Sequence, residues 1–272
     1  MTIARPWAWS LFPICAFAIP LAAASAPTSR ARQAAPIAAA VSESHRPAAD
    51  RQRDALRNPA YLISLTRLKR GQRVADVAPG KGYFTRIFSR VVGSKGQVWA
   101  IVPSELAAAE KHALPDIEQV SRDPVYANVK TLVQPLATIA APASLDVVWT
   151  SDNYHDLVGN LPTAIESFDR AVYRMTRAGG LFVVIDYVAA KGSGDLDSTT
   201  LHRIDPELVR RQVEAAGFRL IADDTILFNP DDDHRRPIFE MGGRADQFFY
   251  VFRKPTAVGV STKKPPRTAS AP

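Results

Sequence analysis

Short apolar segments and segments with helical spacing alternate along most of the chain. Seven segments are rich in β-branched residues and almost continuously apolar, which is typical of strands covered on both faces. These predicted strands are 73–78, 97–102, 129–133, 144–150, 181–187, 219–227 and 247–252. Apolar residues spaced every three or four positions predict helices between them. The predicted helices are two within 50–68 that break near Pro59, then 83–91, 104–112, 162–177 and 206–216.

This alternation predicts the fold class. Successive strand–helix–strand units give parallel strands with helices on both faces. We therefore expect an α/β fold with a doubly wound, mostly parallel seven-stranded sheet and an antiparallel C-terminal strand. The glycine turn 177–180 is expected to end a helix, and Asp205 and Pro206 are expected to begin the next one. Ligands of such sheets bind beyond the carboxyl ends of the strands.

The first 26 residues have the layout of a secretory signal peptide. Arg5 precedes a mostly apolar stretch, and small residues follow with a cleavage position after Ala24 or, less favourably, after Ala26. Pro13 and Pro20 interrupt the apolar stretch, which argues against a long spanning helix. We expect export to the periplasm or the medium with no stable membrane anchor after cleavage. A retained anchor is the alternative.

Composition divides the rest of the chain into three parts. Residues 27–47 are rich in Ala, Pro and Ser and predict a flexible linker. Residues 48–254 are long enough for one domain with a sizeable core. Residues 255–272 predict a disordered basic tail.

Charge and cysteine content exclude several classes of function. The formal net charge is +7, but the basic residues are dispersed and form no array with aromatic residues, so no nucleic-acid partner is expected. The single cysteine, Cys15, lies in the predicted signal peptide, so the mature chain would have no thiolate nucleophile or thiolate metal site. The oligomeric state is left open.

The segment VADVAPGKGYFTR, residues 74–86, predicts a ligand-binding turn between a strand and a helix. Gly80 and Gly82 let the backbone approach a ligand closely. A helix beginning near Tyr83 presents unpaired N–H groups and a positive dipole end to an anion. Ala78 stands where a G-x-G-x-G loop has its first glycine. A negative φ there would tolerate the methyl group, and a positive φ would cost about 1 kcal/mol.

Two further polar segments follow strands four and five. The first, SDNYHDL at residues 151–157, places His155 as a candidate general base. Asp156 could orient His155, and Tyr154 could stack on a substrate or bond to it. The alternative is that Tyr154 and His155 pack beneath the next helix. The second segment, LHRIDP at residues 201–206, brings His202 back towards the strand-four loop.

Together these segments resemble class I S-adenosylmethionine-dependent methyltransferases. The resemblance rests on the opening turn, on YRMTRAGGLFVVID at 173–186 and on VEAAGFRL at 213–220. It extends over roughly residues 48–253 and is nearest to a group of exported predicted methyltransferases with YHDL and LHRIDP motifs. The resemblance implies a Rossmann-like methyltransferase fold, S-adenosylmethionine as cosubstrate and a small-molecule methyl acceptor.

The resemblance also implies which residues form the site. The implied cosubstrate-binding residues are Asp76, Ala78, Gly80, Gly82, Tyr83, Val102, Ser151 and Asn153. The implied catalytic residues are His155, Tyr154, Asp156 and His202. Where the family has an acid for the ribose hydroxyls at the end of strand two, this chain has Val102. Glu105 could substitute for that acid, or it could simply complement the dipole at a helix start.

Other chemistries remain as alternatives. His155, Asp186 and His202 could converge on a metal ion, but their spacing does not require one, and no metal is predicted. The segment 231–234, three aspartates and a histidine, is expected to be a solvated acidic loop. Ala78, Val102 and the predicted export also suit a non-catalytic binding protein that keeps the fold, because S-adenosylmethionine is made in the cytoplasm. A nicotinamide-dependent enzyme is disfavoured by the missing ribose acid and first glycine.

Overall fold

A seven-stranded sheet organises residues 29–109 and 112–256, the parts of the chain that the computed structural model describes. The strands are β1 (Arg73–Val77), β2 (Gln97–Pro103), β3 (Val129–Gln134), β4 (Leu145–Ser151), β5 (Thr176–Tyr187), β6 (Arg219–Asp224) and β7 (Gln247–Arg253). Their order is β3-β2-β1-β4-β5-β7-β6. Among these seven strands, six run in one direction and β7, between β5 and β6, runs in the opposite direction. The predicted α/β fold with an antiparallel C-terminal strand is confirmed.

Helices cover both faces of the sheet. They are α1 (Ser29–Val41), α2 (Ala48–Arg57), α3 (Pro59–Thr66), α4 (Tyr83–Val92), α5 (Ser104–Ala109), α6 (Ala113–Arg122), α7 (Tyr154–Asn160), α8 (Ile165–Met175) and α9 (Pro206–Ala215). One core layer centres on Phe84, Phe88 and Trp149, and the other on Phe168 and Phe182. The strand order reverses between β1 and β4, which opens a crevice at their carboxyl ends.

The glycine turn at residues 177–180 lies inside β5, so the prediction that it ends a helix is wrong. Thr176 already pairs with Leu145, and regular pairing with β4 resumes at Leu181. Between them, the Gly179 N–H donates to the carbonyl of Lys254, and the Lys254 N–H donates to the carbonyl of Gly180. These backbone hydrogen bonds hold the glycines in an irregular part of the sheet.

The predicted linker at residues 27–47 is wrong over most of its length, because residues 29–41 form α1. Alanine has the highest helix propensity, so an alanine-rich segment can fold when a neighbour buries one face. Ile37 and Ala40 of α1 are buried against the core beneath α3 and α4. Arg46, beyond the end of α1, is also buried, and its guanidinium pairs with Asp54 at 2.8 Å.

The terminal predictions lie outside the described residues. These are the signal peptide at residues 1–26 and nearly all of the basic tail, residues 257–272. Within the described parts, no helix is both long and apolar enough to cross a membrane.

The packing of α1 can be tested with Ile37→Ala. Ile37 is 2 % exposed, and truncation of a buried isoleucine typically lowers the free energy of unfolding by about 2–5 kcal/mol. Ala38→Gln, on the exposed side of the same helix, should change that free energy by less than about 0.5 kcal/mol. Denaturant unfolding of both variants measures the difference. Equal effects would show that α1 does not belong to the core.

Candidate active site

A cavity of about 540 Å³ opens at the carboxyl ends of β1 and β4. This volume lies within the usual range for small-molecule sites. The β1–α4 loop, the end of β2 with α5, the end of β4 with α7, and α2 all contribute walls. Residues that line the cavity include Asp50, Arg53, Arg57, Asp76, Ala78, Gly80, Tyr83, Val102, Leu106, Ser151, Asp152, Asn153 and Asp156. Most of the cosubstrate residues implied by the resemblance therefore meet in one cavity.

The β1–α4 loop turns through left-handed backbone conformations. Ala78 has φ 51°, Gly80 φ 52° and Gly82 φ 80°. The positive φ at Ala78 means that its methyl group costs about 1 kcal/mol relative to an unstrained position. A Cβ at Gly80 would meet no atom within 4 Å, whereas one at Gly82 would approach side chains of Ile117 and Val120 at 3.0 Å. Gly80 therefore leaves space in the cavity, and Gly82, which does not line the cavity, leaves space for α6.

Asp76 is a buried carboxyl group at the bottom of the loop. It is 3 % exposed, and its Oδ2 accepts a hydrogen bond from the Thr85 hydroxyl at 2.5 Å. The pKa of Asp76 is raised to about 7, because the effect of burial exceeds the lowering effects of the Thr85 hydrogen bonds and Arg57. A buried carboxylate is destabilised unless a positive charge or donor satisfies it. Asp76 is consequently suited to accept a cationic or hydrogen-bonding part of a ligand.

The end of β2 offers no acid to a ribose. Val102 is 2 % exposed and forms an apolar wall. Both carboxylate oxygens of Glu105 accept the Leu136 N–H, at 3.2 and 3.1 Å. Glu105 does not line the cavity, so the structure does not place it as the substitute acid.

Two arginines on α2 border the cavity, and the sequence analysis missed both. Arg57 bonds to Asp152 at 2.6 Å and to the Ser151 hydroxyl at 2.8 Å, with its guanidinium 4.6 Å from the Tyr83 ring centre. Arg53 lies 5.5 Å from the same ring centre. The four-residue spacing of the arginines places them on one helix face. That signal was visible in the sequence, but only the tertiary structure shows that this face covers the cavity.

Asn153 holds the two sides of the crevice together. Its side-chain amide donates to the carbonyl oxygens of Ala78 and Ser151, both at 2.9 Å. Its side-chain oxygen accepts from the Thr150 hydroxyl. Asn153 therefore lines the cavity as predicted, but its hydrogen bonds chiefly fix the β1–α4 loop against the end of β4.

His155 is held by Asp186 at the end of β5. The imidazole Nδ1 lies 2.7 Å from Asp186 Oδ1, and the His155 backbone N–H donates to Oδ2 at 2.7 Å. Asp186 therefore makes the shorter contact to the ring, in addition to the contact expected from Asp156. Asp156 faces the other ring nitrogen, with its Oδ2 3.4 Å from Nε2. Burial by itself lowers the pKa of His155. The carboxylates of Asp186 and Asp156 raise the pKa by more than that, so the net pKa lies above its usual value.

His202 returns to this cluster as the sequence predicts. Its Nδ1 lies 3.4 Å from Asp156 Oδ1, and its ring centre is 5.4 Å from that of His155. Its backbone adopts φ 55°, an uncommon conformation for a residue with a side chain. Phe239 covers the other side of the ring at a centre-to-centre distance of 4.7 Å.

Of the four predicted catalytic residues, only Asp156 lines the cavity. Tyr154 is fully buried in the core, and its hydroxyl contacts Asp169 of α8 at 2.9 Å and Gln212 of α9 at 3.3 Å. Of the two roles that the sequence left open for Tyr154, the structure shows packing beneath the next helix and not contact with a substrate. His155 is 1 % exposed and lies behind Asp156. It is not placed to contact a ligand directly in the cavity.

The predicted acidic loop at 231–234 is only partly solvated. Asp232 is buried and pairs with the fully buried Arg203 at 2.9 Å. His234 pairs with Asp246 at 2.9 Å. The Arg203–Asp232 pair joins the 189–205 and 229–246 loops, and the His234–Asp246 pair closes the second loop on itself. Asp232 and His234 therefore have structural roles.

The chain is similar to known methyltransferases in sequence. Residues 49–131 match the model of the protein-L-isoaspartate(D-aspartate) O-methyltransferase family. The ubiquinone/menaquinone biosynthesis C-methyltransferase UbiE of Photorhabdus laumondii is 28% identical over 192 residues, which cover 66% of this chain and 69% of that protein. The UbiE of Escherichia fergusonii is 25% identical over 195 residues, which cover 70% and 73% of the two chains.

Solved structures share the fold. An S-adenosylmethionine-dependent methyltransferase from Aquifex aeolicus superposes with a TM-score of 0.54 at 19% identity, covering 75% of this chain and 93% of that one. The glycopeptide N-methyltransferase MtfA, solved with S-adenosylmethionine, has a TM-score of 0.50 at 16% identity, covering 72% and 86%.

The fold, the cavity and the curated relatives support one class of protein, the class I S-adenosylmethionine-dependent methyltransferases. Enzymes of this class take S-adenosylmethionine as cosubstrate.

The role of the loop can be tested with Gly80→Val. Its side chain would occupy the open space of the cavity, so we expect loss of S-adenosylmethionine binding in calorimetry. Gly71→Val is the matched control, because Gly71 also has a positive φ of 81° and open space at its Cβ but lies outside the cavity. Both variants should lose similar stability in melting curves. Equal affinities in the two variants would show that the loop does not bind the cosubstrate.

Proposed function

We propose that this protein transfers the methyl group of S-adenosylmethionine to a small molecule. The observation that carries the proposal is the cavity at the switch point between β1 and β4, with Gly80 open to it and α4 beginning beside it. This is the position at which doubly wound sheets bind ligands. The similarity to two C-methyltransferases supports the same chemistry.

The aminoacyl end of the cosubstrate fits the β1–α4 loop. The first turn of α4 supplies N–H groups and the positive end of a helix dipole, both of which favour a carboxylate. Asp76 lines the same region and would accept the ammonium group. Because the pKa of Asp76 is about 7, a bound ammonium would favour its ionised form.

The nucleoside end fits the wall formed by the end of β2. Val102 and Leu106 present apolar surface to the cavity, which suits a planar base. The ribose hydroxyls would find polar partners on α2 instead of β2, because Asp50 and Arg53 line the cavity there. This arrangement would depart from the family pattern and would compensate for the absence of an acid at position 102.

The acceptor fits the opposite end of the cavity, near Asp156. Phe239 is 72% exposed and contacts His202, which in turn lies 3.4 Å from Asp156, so an exposed aromatic ring stands near this end of the cavity. The two curated relatives are named for ubiquinone and menaquinone biosynthesis. We therefore place the acceptor among small aromatic molecules that carry an oxygen substituent, such as phenols and quinols.

The proposal predicts that cosubstrate binding and methyl transfer both depend on the β1–α4 loop. Calorimetry should show heat with S-adenosylmethionine and with its demethylated product, because both contain the groups that the loop and the apolar wall contact. A screen of phenols and quinols should then reveal acceptor-dependent release of the demethylated product. Gly80→Val should abolish both signals. If neither S-adenosylmethionine nor its demethylated product gives heat, a binding protein for another ligand would be favoured instead.

We also propose that the protein acts outside the cytoplasm, on the basis of the signal-like residues 1–26. Cell fractionation followed by N-terminal sequencing measures this directly. We expect a mature chain that begins near Ser25, recovered from the periplasm or the medium. A chain with an intact Met1 in the cytosolic fraction would contradict export.

A further inference from the structure

Three side chains form a compact cluster of possible metal ligands, and one of them, Asp156, lines the cavity. His155, Asp156 and His202 each offer one nitrogen or oxygen atom, and these atoms all lie within 4.8 Å of one another. The distances from the two Asp156 oxygens to His155 Nε2 and His202 Nδ1 are both 3.4 Å. Each contact uses a different Asp156 oxygen, and each matches the separation of about 3.4 Å that metal–ligand bonds of about 2.0–2.2 Å set between neighbouring ligands in a tetrahedral zinc site.

The surroundings of His155 provide a second, independent observation. Asp186 is fully buried and lies 2.7 Å from Nδ1, so the imidazole can donate its Nδ1–H and keep Nε2 free as a ligand. Histidines that bind metal ions commonly donate their other ring N–H to a carboxylate in this way. The backbone N–H groups of His155 and Tyr187 also donate to Asp186, which fixes the carboxylate in place.

The local charge also favours a cation. Asp152, Asp156 and Asp186 all lie at this end of the crevice, and Arg57 pairs with Asp152 at 2.6 Å. Within the described parts of the chain, the ion pairs found for Asp156 and Asp186 involve only His155 and His202. A divalent ion at the cluster would balance these two carboxylates.

We propose that His155, Asp156 and His202 bind a divalent transition-metal ion, with Zn²⁺ as the preferred ion. Two imidazole nitrogens and one carboxylate oxygen form a ligand set suited to such ions, and three protein ligands leave a coordination position open. Asp156 places the cluster at the wall of the cavity. The role of the ion rests on the proposed function: it would bind the oxygen substituent of the acceptor and position it for methyl transfer.

Metal binding can be measured separately from methyl transfer. Wild-type protein, first treated with a chelator and then freed of it, is titrated with Zn²⁺ in a calorimeter, with Mg²⁺ as the comparison ion. We expect one equivalent of Zn²⁺ to bind much more tightly than Mg²⁺, because imidazole ligands favour transition ions. Asp186→Asn should weaken Zn²⁺ binding about 10- to 100-fold. His202→Ala should weaken it by more than 100-fold, because it removes a ligand.

His234→Ala is the matched control for His202→Ala. His234 also has a positive φ, 62°, and an aspartate partner, Asp246, but it lies outside the cluster. The control should bind Zn²⁺ as the wild type does. Melting curves show whether each variant is folded. If His202→Ala unfolds, Asp156→Asn removes a different proposed ligand and should also weaken Zn²⁺ binding.

Some results would overturn the metal site. These are absence of stoichiometric Zn²⁺ binding, a preference for Mg²⁺, or equal Zn²⁺ affinity in the His202 and His234 variants. Any of them would leave the cluster as a hydrogen-bonded histidine–aspartate network. S-Adenosylmethionine binding is measured in a separate titration. Its loss alone would contradict the proposed function, and loss of Zn²⁺ binding alone would contradict only the metal site.

Discussion

The carboxylate of Asp186 fixes the geometry on which the candidate site depends. It is fully buried at the end of β5 and accepts backbone hydrogen bonds from His155 and Tyr187, together with the contact to the His155 ring. A buried carboxylate is costly unless such donors satisfy it, so this arrangement ties the start of α7 to the sheet. The position of α7 in turn places Asp156 at the cavity and the His155 ring beside His202.

The anchoring of α7 by Asp186 also explains why Tyr154, His155 and Asp156 have different roles, although they are adjacent in the sequence. Tyr154, His155 and Asp156 begin a helix, in which consecutive side chains point about 100° apart. Tyr154 therefore enters the core, His155 lies between Asp186 and His202, and only Asp156 reaches the cavity. The sequence analysis placed no helix at 154–160, so it could not decide whether Tyr154 and His155 face a ligand or pack beneath the next helix.

The strands were predictable because their apolar, β-branched residues reflect burial on both faces. Helices whose formation depends on tertiary contacts were harder to predict: α1 packs through Ile37 and Ala40, and α7 begins at the Asp186 contact. The sequence could raise the question of strain at Ala78, but only the tertiary structure, with φ 51° at that residue, answers it. The contribution of Arg57 depended on knowing that α2 lies over the β1–α4 loop.

The leading helices are therefore part of the site as well as part of the core. Asp54 of α2 accepts hydrogen bonds from buried Arg46, at 2.8 Å, and from the Tyr83 hydroxyl, at 2.6 Å. Tyr83 begins α4, so this network fastens α2 to the helix whose N-terminus borders the cavity. Arg57 on the same helix then reaches Asp152 beyond β4. Because β2 ends in an apolar residue, the proposed function requires the polar groups that α2 holds over the cavity to supply the recognition that an acid of β2 would give.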